Sequence, residues 1–282
     1  MPIKVMHIGL GPIGAAVVNQ VARRKGLAIV GAVDIDPAKT GRDLGDVCSV
    51  GRKLKVKVAS DIAATIKSSR PDVAVLCTSS SLRKVVPEFE AVLKLKVPIV
   101  STTEELAYPV KSNAATAKKL DALAKRARVA VLGTGVNPGF VMDALPIALT
   151  GVCESVTAIE VDRIQDASIP RLRFQQKIGA GLTPEEFQAK VDDASVRHVG
   201  LAESITMIAD ALGWKLDRVT DEIEPRMAAT AVSSKFLTVP AGRVCGIIQD
   251  GVGYREGKPV ITLHMEAYLG APESYDAVEI TG

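Results

Sequence analysis

Apolar residues in the first half of the chain come in short solid blocks, and between the blocks they fall at helical spacing. Residues 3–9 (IKVMHIG), 28–35 (AIVGAVDI), 72–78 (DVAVLCT), 98–102 (PIVST) and 129–133 (VAVLG) have the length and composition of buried strands, with 56–59 (VKVA) a weaker one. Helices are predicted over 12–24, through Ile13, Ala16, Val17 and Val21, and over 82–95, through Val85, Phe89, Val92 and Leu93. Residues 110–127 read as a basic amphipathic helix with Pro109 at its first position. Strand and helix alternate throughout, the pattern of a doubly wound parallel α/β sheet.

The rhythm changes near residue 140. FVMDALPIAL (140–149) reads as one helix, and SVTAIEVDRI (155–164) alternates like a strand with one wet face. Helical stretches follow at 184–195 and 198–213, then strand-like runs at 230–239, 243–254 and 259–269. Helices followed by a run of strands predict an α+β domain with a mostly antiparallel sheet. The expected domains are therefore 1–140 and 141–282.

Composition narrows the picture. Hydrophobic residues make up 47% of the 282 and aromatic ones only 4%, so the core must be aliphatic, as suits a covered parallel sheet. A net charge of +3, with no basic block interleaved with aromatics, argues against nucleic acid. No apolar run approaches a membrane span, and MPIKVMHIGL lacks the flanks of a signal peptide. Cys48, Cys77, Cys153 and Cys245 are far apart and read as free thiols of a reducing compartment. His7, His198 and His264 show no metal-binding spacing. A cytoplasmic protein without a metal is expected.

The chemistry enters with MHIGLGPIG. Gly9, Gly11 and Gly14 follow a strand and open a helix, and Asp34 lies about 20 residues further on, ending the next apolar run. In the dinucleotide-binding (Rossmann) fingerprint the first glycine allows the turn. The second admits a pyrophosphate, and the third lets helix and strand pack closely. Gly9, Gly11, Pro12, Ile13 and Gly14 are thus candidate cofactor contacts. Asp34 is the natural acceptor for the adenosine ribose, with Asp36 its rival. A carboxylate there repels a 2′-phosphate, so NAD is favoured, while Lys39 and Arg42 nearby keep NADP open.

Ligands of such sheets sit beyond the carboxyl ends of the strands, which singles out three stretches. CTSSS (77–81) offers Thr78, Ser79 and Ser80 to the cofactor, or a cap to the helix that follows. STTEELAYP (101–109) offers Thr102 and two carboxylates, Glu104 and Glu105. These read either as capping boxes (Ser101-x-x-Glu104, Thr102-x-x-Glu105) or as acid/base candidates in a loop above the sheet. In GTGVNPGF (133–140), Gly133 and Gly135 would admit a flat ring, and Asn137 would bond a carboxamide or the substrate.

GLGPIG, VDIDPAKTGRDLG, STTEELAYP, GTGVNPGFVMD and FQQKIGAG (174–181) together resemble the 2,4-diaminopentanoate dehydrogenases and the related native amine dehydrogenases. That family has a dihydrodipicolinate-reductase-like N-terminal domain. The resemblance covers most of the chain and is densest over residues 7–181. It implies oxidation of an amine to an imine by hydride transfer to a nicotinamide, with water releasing ammonia and a ketone, and the reverse reaction. It also implies a glutamate of the STTEEL loop as the acid/base, Glu104 or Glu105. The histidine-rich stretch and the Lys-Pro-Ser-Gly-Thr-Ala-like segment of true dihydrodipicolinate reductases are absent. Family chains commonly continue past the equivalent of YDAVEITG, so a shortened form, or a site closed by other residues, is implied.

The second domain is expected to supply the substrate wall and a homodimer contact. Arg163, Asp166, Arg171, Arg173, Gln175 and Lys177 cluster there. Arg163, Arg173, Gln175 and Asn137 are the substrate candidates, since a substrate carboxylate favours an arginine fork. Two rival readings stand beside the amine dehydrogenase. One is an imine reductase or other dehydrogenase of this architecture, and the other is a dinucleotide-binding protein without catalysis.

Overall fold

The computed structural model describes residues 1–169 and 172–282. The chain packs into two compact units, Met1–Val136 and Asn137–Gly282.

The first unit alternates as its pattern predicts. Strands β1 (Ile3–Ile8), β2 (Leu27–Val33), β3 (Val58–Ala59), β4 (Val73–Leu76), β5 (Ile99–Ser101) and β6 (Val131–Gly133) form a six-stranded sheet. Its order is β3-β2-β1-β4-β5-β6, every pair parallel. The helices are α1 (Pro12–Arg23), α2 (Leu44–Val47), α3 (Ile62–Ser69), α4 (Leu82–Leu93) and α5 (Ala114–Ala127). The order reverses between β1 and β4, so the loops leaving these strands part there and open a crevice. Helix α4 buries Leu82, Val85, Phe89, Val92 and Leu93, the 3.6-period stripe read from its sequence.

Helix α5 differs from its expected start. Pro109–Asn113 wind as turns and the helix begins at Ala114, with Asn113 as its N-cap. The amide of Asn113 points back to Glu105 Oε2, 3.4 Å away. That contact ties the turns to the preceding loop.

His7 sits in β1 with both neighbouring strands paired to it, buried, and neither ring nitrogen has a partner. Burial pulls its pKa down to about 4. Between that value and 6.5 the unfolded chain takes up a proton that the folded chain refuses, so stability falls as pH drops through this window. Urea midpoints measured at about pH 7 and about pH 4.5 should therefore fall less in His7→Leu than in the parent chain. Equal slopes would remove His7 as the cause.

The second unit holds a five-stranded sheet of order β13-β7-β12-β11-β8. Its strands are β7 (Ala158–Asp166), β8 (Arg218–Met227), β11 (Val244–Arg255), β12 (Lys258–Tyr268) and β13 (Tyr275–Thr281). Pairing is antiparallel except between β12 and β7. A separate two-stranded ribbon joins β9 (Val232–Ser233) and β10 (Thr238–Val239). Helices α6 (Ala144–Thr150), α7 (Leu172–Lys177), α8 (Pro184–Asp192) and α9 (Leu201–Ala211) complete the unit. Helix α9 buries Leu201, Ile205 and Ile208 in one core with Ile247, Ile261, Leu263 and Met265 of the sheet.

Two expectations for this half need correction. The stretch 140–149 is not one helix. The buried Asp143 carboxylate accepts from Gly139 N (2.7 Å), Ala144 N (2.5 Å) and Ser204 Oγ (2.8 Å). It caps α6 and holds the residues before it as a turn. The stretch 230–239 is likewise not one strand. Ser234 Oγ accepts from Phe236 N and Leu237 N, folding the middle into the turn between β9 and β10. Among the described residues no helix is long and apolar enough to cross a membrane.

Candidate active site

In the first unit the loop after β1 is shaped by its glycines. Gly9 has φ +85°, and a Cβ there would lie 2.6 Å from Thr78 Cγ2 and 2.7 Å from Cys77 O. A Cβ on Gly14 would meet Gly9 O at 1.9 Å. Both positions are closed by the protein itself. Gly11 differs, because nothing lies within 4 Å of where its Cβ would be. It is the N-cap of α1, has no side-chain cap, and Pro12 supplies the fixed first turn. The helix end thus presents bare main chain to open space, with Pro12 and Ile13 exposed beside it. Free backbone N–H groups at a helix start suit a diphosphate by charge.

Asp34 ends β2 and is 7% exposed. Its Oδ2 accepts from Leu10 N (2.7 Å) and from Lys39 Nζ (3.0 Å), and its Oδ1 accepts from Asp36 N (2.9 Å). Burial pushes its pKa up, but the two backbone N–H groups and the Lys39 ammonium outweigh this and hold it below the usual carboxylate range. One carboxylate therefore ties the glycine loop to the exit of β2. Between Asp34 and Asp36 stands Ile35, 91% exposed. Sequence reading passed over it, because an apolar residue at a strand end looks like core. An aliphatic surface between two carboxylates suits the flat face of a base.

The loops after β4 and β5 are joined to each other. Thr102 N donates to Leu76 O, and Glu105 N donates to Ser80 O. Thr78 Oγ1 donates to Glu88 Oε2 at 2.6 Å, and Ser79 Oγ accepts from Ser81 N. Glu88 was not legible as a partner, since an acidic residue in mid-helix is ordinarily solvated. Burial raises its pKa, against the lowering effect of the Thr78 hydroxyl.

The two glutamates part company here. Both begin a single 3₁₀ turn, Glu104–Leu106, with no side-chain cap, so neither capping box forms. Glu105 Oε2 accepts from Leu82 N at 2.8 Å, satisfying a donor at the start of α4. Among the described residues Glu104 Oε2 is buried and has no hydrogen-bond partner. A carboxylate oxygen left without a donor is costly unless something else occupies it.

Gly133 packs against Leu106. A Cβ on it would lie 2.5 Å from Leu106 O, so its bareness serves packing under the 3₁₀ turn. Gly135 follows β6 near the end of the first unit, and Asn137 opens the second. Asn137 Nδ2 contacts Met142 Sδ at 3.0 Å, while its Oδ1 is buried without a partner.

In the second unit, Arg163, Met265 and Gln249 stand in one row across β7, β12 and β11. Arg163 is 9% exposed and its Nη1 is ion-paired to Asp276 Oδ1. His198 is anchored to the same row: its N donates to Gln249 Oε1, and its O accepts from Gln249 Nε2. The Nε2 of His198 is buried and unpartnered. Burial, and then Lys177, Arg163 and Arg197, lower its pKa to about 3, so it is neutral. Gln175 is wholly buried and spent within the fold, donating to Ala167 O and accepting from Ser234 Oγ. Arg173 is exposed, and Arg171 lies outside the described residues.

Residues 3–133 match the family described as dihydrodipicolinate reductase, N-terminus. Residues 140–280 match the 2,4-diaminopentanoate dehydrogenase C-terminal domain. The 2,4-diaminopentanoate dehydrogenase of Acetoanaerobium sticklandii is 36% identical over 259 residues, 91% of this chain and 73% of that protein. An amine dehydrogenase of Streptomyces virginiae is 25% identical over 266 residues, 90% of this chain and 72% of that protein. The structure of the amine dehydrogenase from Mycobacterium smegmatis has a TM-score of 0.86 at 25% identity, with 100% of this chain and 84% of that one covered. With both halves matched, and a relative 36% identical over 91% of this chain, the chain belongs to the 2,4-diaminopentanoate dehydrogenase family.

Proposed function

We propose that the protein is an NAD(P)-dependent amine dehydrogenase with Glu104 as its acid/base. Residues 1–140 bind the dinucleotide. Residues 141–282 bind substrate and pair two copies into a homodimer in the cytoplasm. The observation that carries this reading is the buried, unpartnered Oε2 of Glu104 in a loop at the carboxyl end of the sheet. Its neighbour Glu105 is already engaged by the α4 backbone. The cradle at Gly11, the carboxylate of Asp34 and the bare Ile35 suit the diphosphate, ribose and base of a dinucleotide. Family membership supports the same reading.

A nicotinamide dinucleotide held at Gly11, Asp34 and Ile35 would supply the acceptor for hydride loss from the carbon bearing the amine. Glu104 first removes a proton from the substrate ammonium, freeing the nitrogen lone pair that drives this loss. Water adds to the resulting iminium, and proton transfers through the same carboxylate release ammonia and the ketone. The buried Asn137 Oδ1 and the neutral His198 Nε2 support a polar substrate wall in the second unit.

The test is a panel assay. The protein is incubated with NAD or NADP and 2,4-diaminopentanoate, simple alkyl amines and amino acids, and formation of reduced coenzyme is followed by absorbance. A cyclic imine with NADH or NADPH is the control. Coenzyme reduction by at least one amine is expected. Turnover of the cyclic imine alone, or coenzyme binding with no turnover of anything, overturns the proposal.

A further inference from the structure

The ribose end of the cradle carries a cation whose position bears on the choice of coenzyme. Lys39 Nζ lies 3.0 Å from Asp34 Oδ2 and 3.7 Å from Asp36 Oδ2. Its side chain is 25% exposed, against 8% for Asp34 and 44% for Asp36. Asp34 has a second task, holding Leu10 N and Asp36 N, so its charge is balanced inside the fold. An ammonium carries three donors on a flexible stem; Asp34 takes one of them, and Asp36 stands at ion-pair distance. Arg42 is exposed and rests on Ala38 O at 3.4 Å, contacting neither carboxylate.

Resting on the dinucleotide reading above, we propose that Lys39 is the residue that admits a 2′-phosphorylated dinucleotide to a site otherwise built for NAD. With NAD, Lys39 stays with the two aspartates, and Asp34 and Asp36 face the ribose hydroxyls. With NADP, the ammonium turns to the 2′-phosphate and neutralises a charge that the aspartates alone would repel. The site then accepts both coenzymes, and Lys39 alone separates them.

Calorimetric titration of the full chain with NADH and NADPH tests this without turnover. The parent chain should bind both, with the NADPH affinity falling more steeply as salt rises. Lys39→Ala should weaken NADPH by about tenfold or more and NADH by less than about threefold, and Lys39→Arg should restore NADPH. Circular dichroism of each variant checks that it is folded, and Lys39→Gln serves if Lys39→Ala is not. A parent chain that binds NADH but not NADPH overturns the proposal. So does a Lys39 variant that weakens both coenzymes alike, or an NADPH loss that appears in Arg42→Ala instead. A parent chain that binds neither overturns the dinucleotide reading itself, and this proposal falls with it.

Discussion

Glu104→Gln should lower kcat for amine oxidation by about 10²–10⁴-fold, the usual contribution of a positioned general base, and leave the Kd for NADH unchanged. The substitution keeps size and shape and removes only the ability to take a proton. Among the described residues Glu104 Oε2 makes no hydrogen bond, so the substitution breaks no contact of that oxygen. Glu105→Gln is the matched control. Its amide oxygen can still accept from Leu82 N, so the start of α4 is kept and kcat should change by less than about tenfold. Both variants are measured by steady-state kinetics, calorimetry with NADH and thermal melts. If Glu105→Gln is the inactive one, or if Glu104→Gln loses NADH binding along with turnover, Glu104 is not the base.

That contrast also marks how far the sequence could be read. The alternation of the first unit, the glycine turn and Asp34 are local features. A strand, a tight turn and a helix start lie within a few residues, and their physics does not depend on the rest of the chain. The choice between Glu104 and Glu105 is not local. It is made by Leu82, 23 positions before Glu105, whose free N–H arrives from another strand's loop. Nothing in STTEEL records that.

Strand β8 shows a different limit. RVTDEIEPRM is half charged and contains Pro225, which argues against a strand, yet it pairs along β11 as the edge of the sheet. An edge tolerates a residue without an N–H and gains from charge, so the features that hide the strand are those that suit its place. Gln175 shows the opposite error. Its polarity suggests a ligand, but it is the internal bridge between the turn at Ala167–Ser168 and the ribbon at Ser234. Polarity marks a group that needs a partner, and only packing tells whether the partner is protein.

The glycines allow the sharpest test of the cradle, because two of them should fail in opposite ways. Gly14→Ala puts a methyl group 1.9 Å from Gly9 O and 3.5 Å from Cys77 Cβ, against backbone that cannot step aside without moving the loop. It should cost about 1–3 kcal/mol of stability, or more, by overpacking, and coenzyme affinity should fall with it. Gly11→Ala meets no protein atom within 4 Å and has φ −63°, which alanine adopts freely. Its melting temperature should match the parent's, while NADH binding weakens by at least about tenfold, or 1.4 kcal/mol, because the methyl group occupies the space a diphosphate would take against the main chain. Thermal melts and calorimetry separate the two effects. A Gly11→Ala chain that binds NADH like the parent would show that the diphosphate lies elsewhere.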